Sequence, residues 1–365
     1  MLAVRTFRSV RSWFTGKAAT TEYETLLNRG DREVPASVVV PRSAARKLPG
    51  WIVLHGLSRP GRFHPTLRRF VRALASSGVA VVVPQVPEWK NLRFAPESTL
   101  PTVRAALEGL RRLDAADDGP YGIIGFSFGA PQALIAAAHE DIAEQLAGAV
   151  GFGGYCDMER MVRFQMTGEH EWAGVTRRVR PDPYGRWIIG GNHLTSIPEY
   201  RDAQDVCDAL WRLAVEAGER RIIAWDPSYD HLKEELRAQV ATDRTWLFDL
   251  FAPPSDREPD LSGVEDIVKQ LADAVSRSSP LLDPVPYLAG IRPHVQLIHG
   301  RSDRLIPYTE TLRMQASFPE ETRVHTTITA LFDHSEQRGR LSSIRHEIRE
   351  GLKLVGALSR VLGIT

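Results

Sequence analysis

The stretch Tyr121-Gly122-Ile123-Ile124-Gly125-Phe126-Ser127-Phe128-Gly129-Ala130 decides how the rest of the chain is read. A short apolar run ends in a serine fenced by glycines and opens into the alanine-rich Ala133-Leu134-Ile135-Ala136-Ala137-Ala138, a good helix former. The pattern predicts strand, sharp turn and helix, with the helix over 130–139. Gly125-Phe126-Ser127-Phe128-Gly129 fits G-x-S-x-G, in which the turn is too tight for a Cβ two places either side of the serine. Such a turn lifts the Ser127 hydroxyl clear of the backbone. The free N–H groups and dipole of the following helix favour negative charge developing beside it.

Outward from this stretch, buried strands alternate with helices. Trp51-Ile52-Val53-Leu54 is a continuous apolar strand that delivers the loop His55-Gly56-Leu57, and Val79-Ala80-Val81-Val82-Val83 is the next. Helices are expected over 70–77 and 102–113, and further strands over 146–152, 295–298 and 323–329, with a closing helix over 344–362. Residues 21–27 and 37–40, joined by the turn Asn28-Arg29-Gly30-Asp31, read as an antiparallel edge. The βαβ rhythm predicts an α/β fold with a doubly wound, mostly parallel sheet, whose ligands bind outside the carboxyl ends of its strands.

The rhythm breaks between residues 155 and 286. Apparent helices over 200–217, 231–251 and 264–276 replace the strands there, and Pro181-Asp182-Pro183-Tyr184-Gly185 and Ala252-Pro253-Pro254-Ser255 read as loops. The expected organisation is a core of residues 21–154 and 287–365, a helical cap inserted as 155–286, and a basic amphipathic segment over 1–20. That segment carries Arg5, Arg8, Arg11 and Lys17 with no acid, and Leu2, Val4, Phe7, Val10, Trp13 and Phe14 at mostly helical spacing. A short helix packing its apolar side on the domain is expected. Peripheral contact with a membrane surface is the competing reading.

At 365 residues the chain can bury a large core. A formal net charge of +1, without an aromatic-interleaved basic patch, argues against a nucleic-acid partner. Cys156 and Cys207 offer neither a disulfide framework nor C-x-x-C metal spacing, so no metal is expected and a cytoplasmic location is. No apolar run reaches the roughly 20 residues that span a bilayer.

Three motifs stand in the order nucleophile, acid, histidine: Ser127 in its glycine turn, Asp303 in His299-Gly300-Arg301-Ser302-Asp303, and His334 in Phe332-Asp333-His334-Ser335. With them the chain resembles the α/β-hydrolases over 21–365 outside the insertion, and the insertion does not identify a subfamily. The resemblance implies backbone N–H donors for an oxyanion from Phe128 and Leu57, and no metal or organic cofactor. The residues agree with it. A serine hydroxyl needs a neighbouring base, for which His334 is best placed, and Asp303 would hold the imidazole tautomer. Asp333 and Asp157 are rival acids. His55 and His299, each in a His-Gly pair at a strand end, are expected to organise loops by hydrogen bonding.

The expectation is therefore a serine hydrolase of a small carboxylic ester. Peptidase, thioesterase and carbon–carbon hydrolase activities share such a triad, and a binding module without catalysis is the rival from another class. Trp89, Trp172, Trp187, Trp211, Trp225 and Trp246 suggest an apolar acyl pocket, against the simpler reading that a helical cap needs aromatics to pack. Arg177, Arg178, Arg180 and Arg186 could meet a substrate carboxylate, against the commoner solvated charged face.

Overall fold

The computed structural model describes residues 2–43, 46–263, 265–330 and 344–365, without the side chains of 344–349. In chain order it begins with helix α1 (Leu2–Thr15), strands β1 (Thr20–Asn28), β2 (Glu33–Pro41) and β3 (Gly50–Leu54), helix α2 (Pro65–Ser76) and β4 (Ala80–Pro84). There follow the turn-like α3 (Pro87–Lys90), α4 (Thr99–Arg111), β5 (Tyr121–Phe126), α5 (Gly129–Ala138), the short α6 (Glu140–Ala143) and β6 (Leu146–Phe152). The aliphatic runs read as strands are the strands.

The 8-stranded sheet has the order β1-β2-β4-β3-β5-β6, completed by β9 (His294–Gly300) and β10 (Val324–Thr329). β1 and β2 form the antiparallel edge, and every pairing from β4 onward is parallel. Alternation splits the strand side chains between two cores. Ile52, Leu54 and Val82 face one side, packed with α4 and α5, while Trp51, Val53, Val81 and Val83 face the other, packed with α2 and the closing helix. Helices on both faces explain why the central strands are apolar throughout rather than alternating. The chain steps from β3 outward to β4 and back past β3 to β5. That reversal opens a crevice at the carboxyl ends of β3 and β5.

Between β6 and β9 the chain runs through α7 (Met158–Thr167), the hairpin β7 (Glu169–Trp172) and β8 (Val175–Arg178), α8 (Pro183–His193), α9 (Gln204–Arg220), α10 (Asp230–Arg237), α11 (Thr245–Phe251), α12 (Glu265–Ser278) and the short α13 (Val285–Leu288). The excursion is mainly helical and also carries a hairpin, where Ala173 and Gly174 both take positive φ (+52° and +76°), the geometry that closes a two-residue hairpin. Two expectations are corrected here. Pro181 to Gly185 is not only a loop, because Asp182 caps α8 by accepting from the Tyr184 N–H and Pro183 occupies its first turn. The stretch 231–251 is not one helix but two, α10 and α11, separated by a turn at Ala241 to Arg244. The chain closes with α14 (Tyr308–Ala316) after β9 and α15 (Ile344–Leu362) after β10.

The amino-terminal helix is also corrected. α1 packs on α2 and α15 through the small polar residues Thr6, Ser9 and Ser12, 5%, 3% and 4% exposed, with Val10 and Trp13 partly buried against the core beside them, whereas Phe7 and Phe14 stand 66% and 56% exposed. The Arg69 Nε–H, donating to the Trp13 carbonyl at 2.6 Å, and the Arg5 Nη1–H, donating to the Thr365 carbonyl at 2.7 Å, pin it down. Small residues let the helix axes approach closely, and that outcompetes burial of the phenylalanines.

Candidate active site

β5 ends at Phe126 and the chain turns into α5 through Ser127, a non-glycine residue with φ +52°. A side chain in the left-handed region costs about 1–2 kcal/mol, so the neighbours must hold it. The Ser127 N–H donates to the Phe152 carbonyl at the end of β6 (2.8 Å), and the Ser127 carbonyl accepts from the Ala130 N–H (2.9 Å). The flanking glycines are sterically required. A Cβ on Gly125 would sit 1.9 Å from the Gly129 carbonyl oxygen, and one on Gly129 would sit 2.6 Å from the His55 carbonyl oxygen. A Cβ on Gly56 would lie 3.0 Å from the Ser127 Cβ, so the loop after β3 lies directly against the serine.

His55 pins that loop. Its Nε2 accepts from the Val86 N–H (3.0 Å), so Nδ1 carries the proton and donates to the Gly56 carbonyl (2.7 Å). Burial pushes the imidazole pKa down to about 4. With both nitrogens engaged and the ring edge-on to Trp89, His55 organises the loop rather than moving protons. Among the described residues, the N–H groups of Leu57 and Phe128 have no hydrogen-bond acceptor.

Asp303 follows β9 and is 5% exposed. Its Oδ1 accepts from the N–H groups of Leu305 (2.9 Å) and Ile306 (3.0 Å), which fixes the carboxylate in the turn, and Oδ2 lies 3.4 Å from His299 Nε2. The Nε2–H of His299 donates to the Ile306 carbonyl (2.9 Å) and Nδ1 accepts from the Thr311 hydroxyl (2.6 Å), so this histidine too is committed to loop structure. The Arg301 N–H donates to the Thr329 carbonyl at 2.7 Å, so the chain leaves β10 beside the loop that carries Asp303. It then enters residues 331–343. His334 and its neighbour Asp333 lie outside the described residues. Asp157 is occupied as the cap of α7, accepting from the Arg160 N–H at 2.8 Å.

A cavity opens beside Ser127. Leu57, Phe94, Phe128 and Tyr155 line it from the sheet side, Leu305 and Ile306 from the Asp303 loop, Met158, Met161 and Gln165 from α7, and Tyr184, Gly185, Ile188 and Ile189 from α8. The lining is predominantly apolar.

No protein-family model and no curated protein sequence matches the chain. Solved structures do. Acylaminoacyl peptidase from Pyrococcus horikoshii superimposes with a TM-score of 0.52 at 15% identity over 96% of this chain, which spans 42% of that protein's length. A fungal esterase from Rhizomucor miehei gives 0.50 at 14% identity, covering 99% of this chain and 90% of its own. The chain has the α/β-hydrolase fold.

Several residues that the sequence singled out for the pocket lie elsewhere. None of the tryptophans lines the cavity. Trp187 is fully buried and donates to the Phe251 carbonyl, Trp225 lies under Arg180 and Arg304, and Trp89 packs edge-on beneath Phe128. The arginines serve the excursion itself: Arg186 Nε–H donates to the Phe251 carbonyl, Arg180 to the carbonyls of Ser255 and Arg257, and Arg178 pairs with Glu258. Glu310 is a missed residue. Buried on α14, it accepts from the N–H groups of Cys156 and Asp157 (3.0 Å each) and from Arg160, tying α14 to the chain that leaves β6. The cavity wall on α7 was also missed, although Met158, Met161, Val162 and Gln165 follow Asp157 with one-face helical spacing, a legible signal. Among the described residues, no cluster of His, Cys, Asp or Glu could hold a metal ion.

Proposed function

We propose that the chain is a serine hydrolase that cleaves a small carboxylic ester through an acyl-enzyme on Ser127. The observation that carries this reading is the strained Ser127 turn at the carboxyl end of β5, facing the Leu57 loop and an apolar cavity. In it, His334 takes the Ser127 proton as Oγ attacks the ester carbonyl carbon, and the carbonyl oxygen becomes an oxyanion between the N–H groups of Phe128 and Leu57. Collapse breaks the bond to the alcohol oxygen, which leaves with the proton from His334. A water then gives its proton to His334 and attacks the acyl carbon, and the proton returns to Ser127 as the acid departs. Asp303 holds the imidazole. No step requires a metal or organic cofactor.

Residues 155–286 act in this reading as a cap on the core formed by 21–154 and 287–365, supported by the share of the cavity wall contributed by α7 and α8. The test is release of p-nitrophenol from esters of increasing chain length by the wild type, Ser127→Ala and His334→Ala. Release lost in both variants, with a chain-length optimum, is expected. A folded wild type inactive on every ester, yet labelled by a fluorophosphonate at Ser127, would move the reading to amide, thioester or carbon–carbon substrates. Absence of labelling would sink catalysis by Ser127 altogether.

A further inference from the structure

Gln165, which lines the cavity beside Ser127, carries a buried acceptor without a donor among the described residues. Gln165 is 1% exposed, and its Nε2 donates to the Leu305 carbonyl at 2.5 Å. Because a carbonyl oxygen only accepts, that bond settles which way round the amide stands. Its Oε1 is sealed from solvent and has no hydrogen-bond partner among the described residues. The space it occupies is kept open by Gly185 of α8, where a Cβ would come within 2.4 Å of Oε1. On the same cavity the Tyr155 hydroxyl is likewise buried; the Gln132 amide lies within reach of its oxygen, and its O–H has no acceptor among the described residues. Burial raises the phenol pKa, so it stays an O–H donor.

An unpaired polar atom in an apolar enclosure costs about 1–3 kcal/mol. A ligand that supplies the missing partner recovers this; an alkyl chain does not. We infer that this site selects an ester bearing, away from the scissile carbonyl, an N–H or O–H that donates to Gln165 Oε1, with the Tyr155 hydroxyl offered to an acceptor on the same group. A secondary amide has both. The inference rests on the cavity being the substrate site of a Ser127 hydrolase, and it replaces the purely apolar acyl group that the lining suggests at first sight.

The experiment is calorimetric binding to the Ser127→Ala protein, which leaves the esters uncleaved. The probes are a chain-length series of methyl ω-acetamidoalkanoates, each paired with its N-methylated amide, in which a methyl group replaces the N–H, and with the methyl ketone of equal length, in which CH2 replaces it. At the best length the N–H ligand is expected to bind about 10- to 100-fold tighter. Adding Gln165→Met should abolish the preference and leave the N-methyl ligand within about twofold of its former affinity. If Gln165 merely braces Leu305, the substitution weakens both ligands alike and their ratio persists, which overturns the inference. Equal binding of each pair without that substitution, or no binding across the series, overturns it as well, and the first comparison stands even where Gln165→Met does not fold. Failure of the wild type to hydrolyse any ester would count against the proposed reaction while leaving this binding ratio to be read separately.

Discussion

A Cβ on Gly129 would stand 2.6 Å from the carbonyl oxygen of His55, so the turn that bears Ser127 and the loop after β3 touch with no room for a methyl group. Gly129→Ala is therefore expected to destabilise the fold by about 1–3 kcal/mol, because backbone on both sides must move. Gly351→Ala, on α15 with open space at the same atom, should be neutral or stabilising by up to ~1 kcal/mol. Urea unfolding of the pair checks this. Equal effects would mean that the contact is not rigid.

Asp303→Asn keeps an oxygen for the Leu305 and Ile306 N–H groups but loses the carboxylate charge. If Asp303 orients the base, ester turnover should fall about 10³- to 10⁴-fold while the fold is retained. Turnover within about tenfold of wild type, with unchanged circular dichroism, would remove Asp303 from the mechanism.

His55 and His193 are both buried, and burial pushes each pKa from 6.5 down to about 4. Over that window the unfolded chain binds more protons than the folded one. Stability is thus full above pH 6.5 and is lost as pH falls toward 4, by roughly 3 kcal/mol per histidine. His193→Leu, which also removes a buried Nε2 without a partner among the described residues, should flatten the pH dependence of urea unfolding across this window. An unchanged slope would show that His193 already titrates normally.

On α1 the outward and inward faces predict opposite responses. Phe7→Ser, at an exposed position, should change stability by no more than about 0.5 kcal/mol. Ser9→Leu, against α2 and α15, should cost about 1–3 kcal/mol. A reversed order, read by thermal unfolding, would mean that the phenylalanine face is the one that packs.

Much of the fold was legible in advance because it depends on short-range signals. Trp51 to Leu54 and Val79 to Val83 are apolar at every position, which only a strand covered on both faces tolerates. Gly125 and Gly129 bracket Ser127 because no other residue fits there. Less of the excursion was legible. Asp182-Pro183 is a helix start as well as a turn pair, and Ala173 gives no warning that it will take positive φ. On α1, hydrophobic spacing was right for Val10 and Trp13 but not for Phe7 and Phe14, since the choice between burying Phe7 and bringing Ser9 close to α2 belongs to the neighbour.

By itself, then, the sequence determined the alternation of strands and helices, the strained serine turn and the order of the residues around it, because periodicity and glycine sterics act within a few residues. Only the tertiary structure decided what stands opposite Ser127. Gln165 and Ile188 reach the cavity from α7 and α8, and Leu305 from the Asp303 loop, and helical spacing states that a face will be buried without stating against what. The buried Oε1 of Gln165 is the clearest case, because its lack of a partner is a property of all those surfaces together.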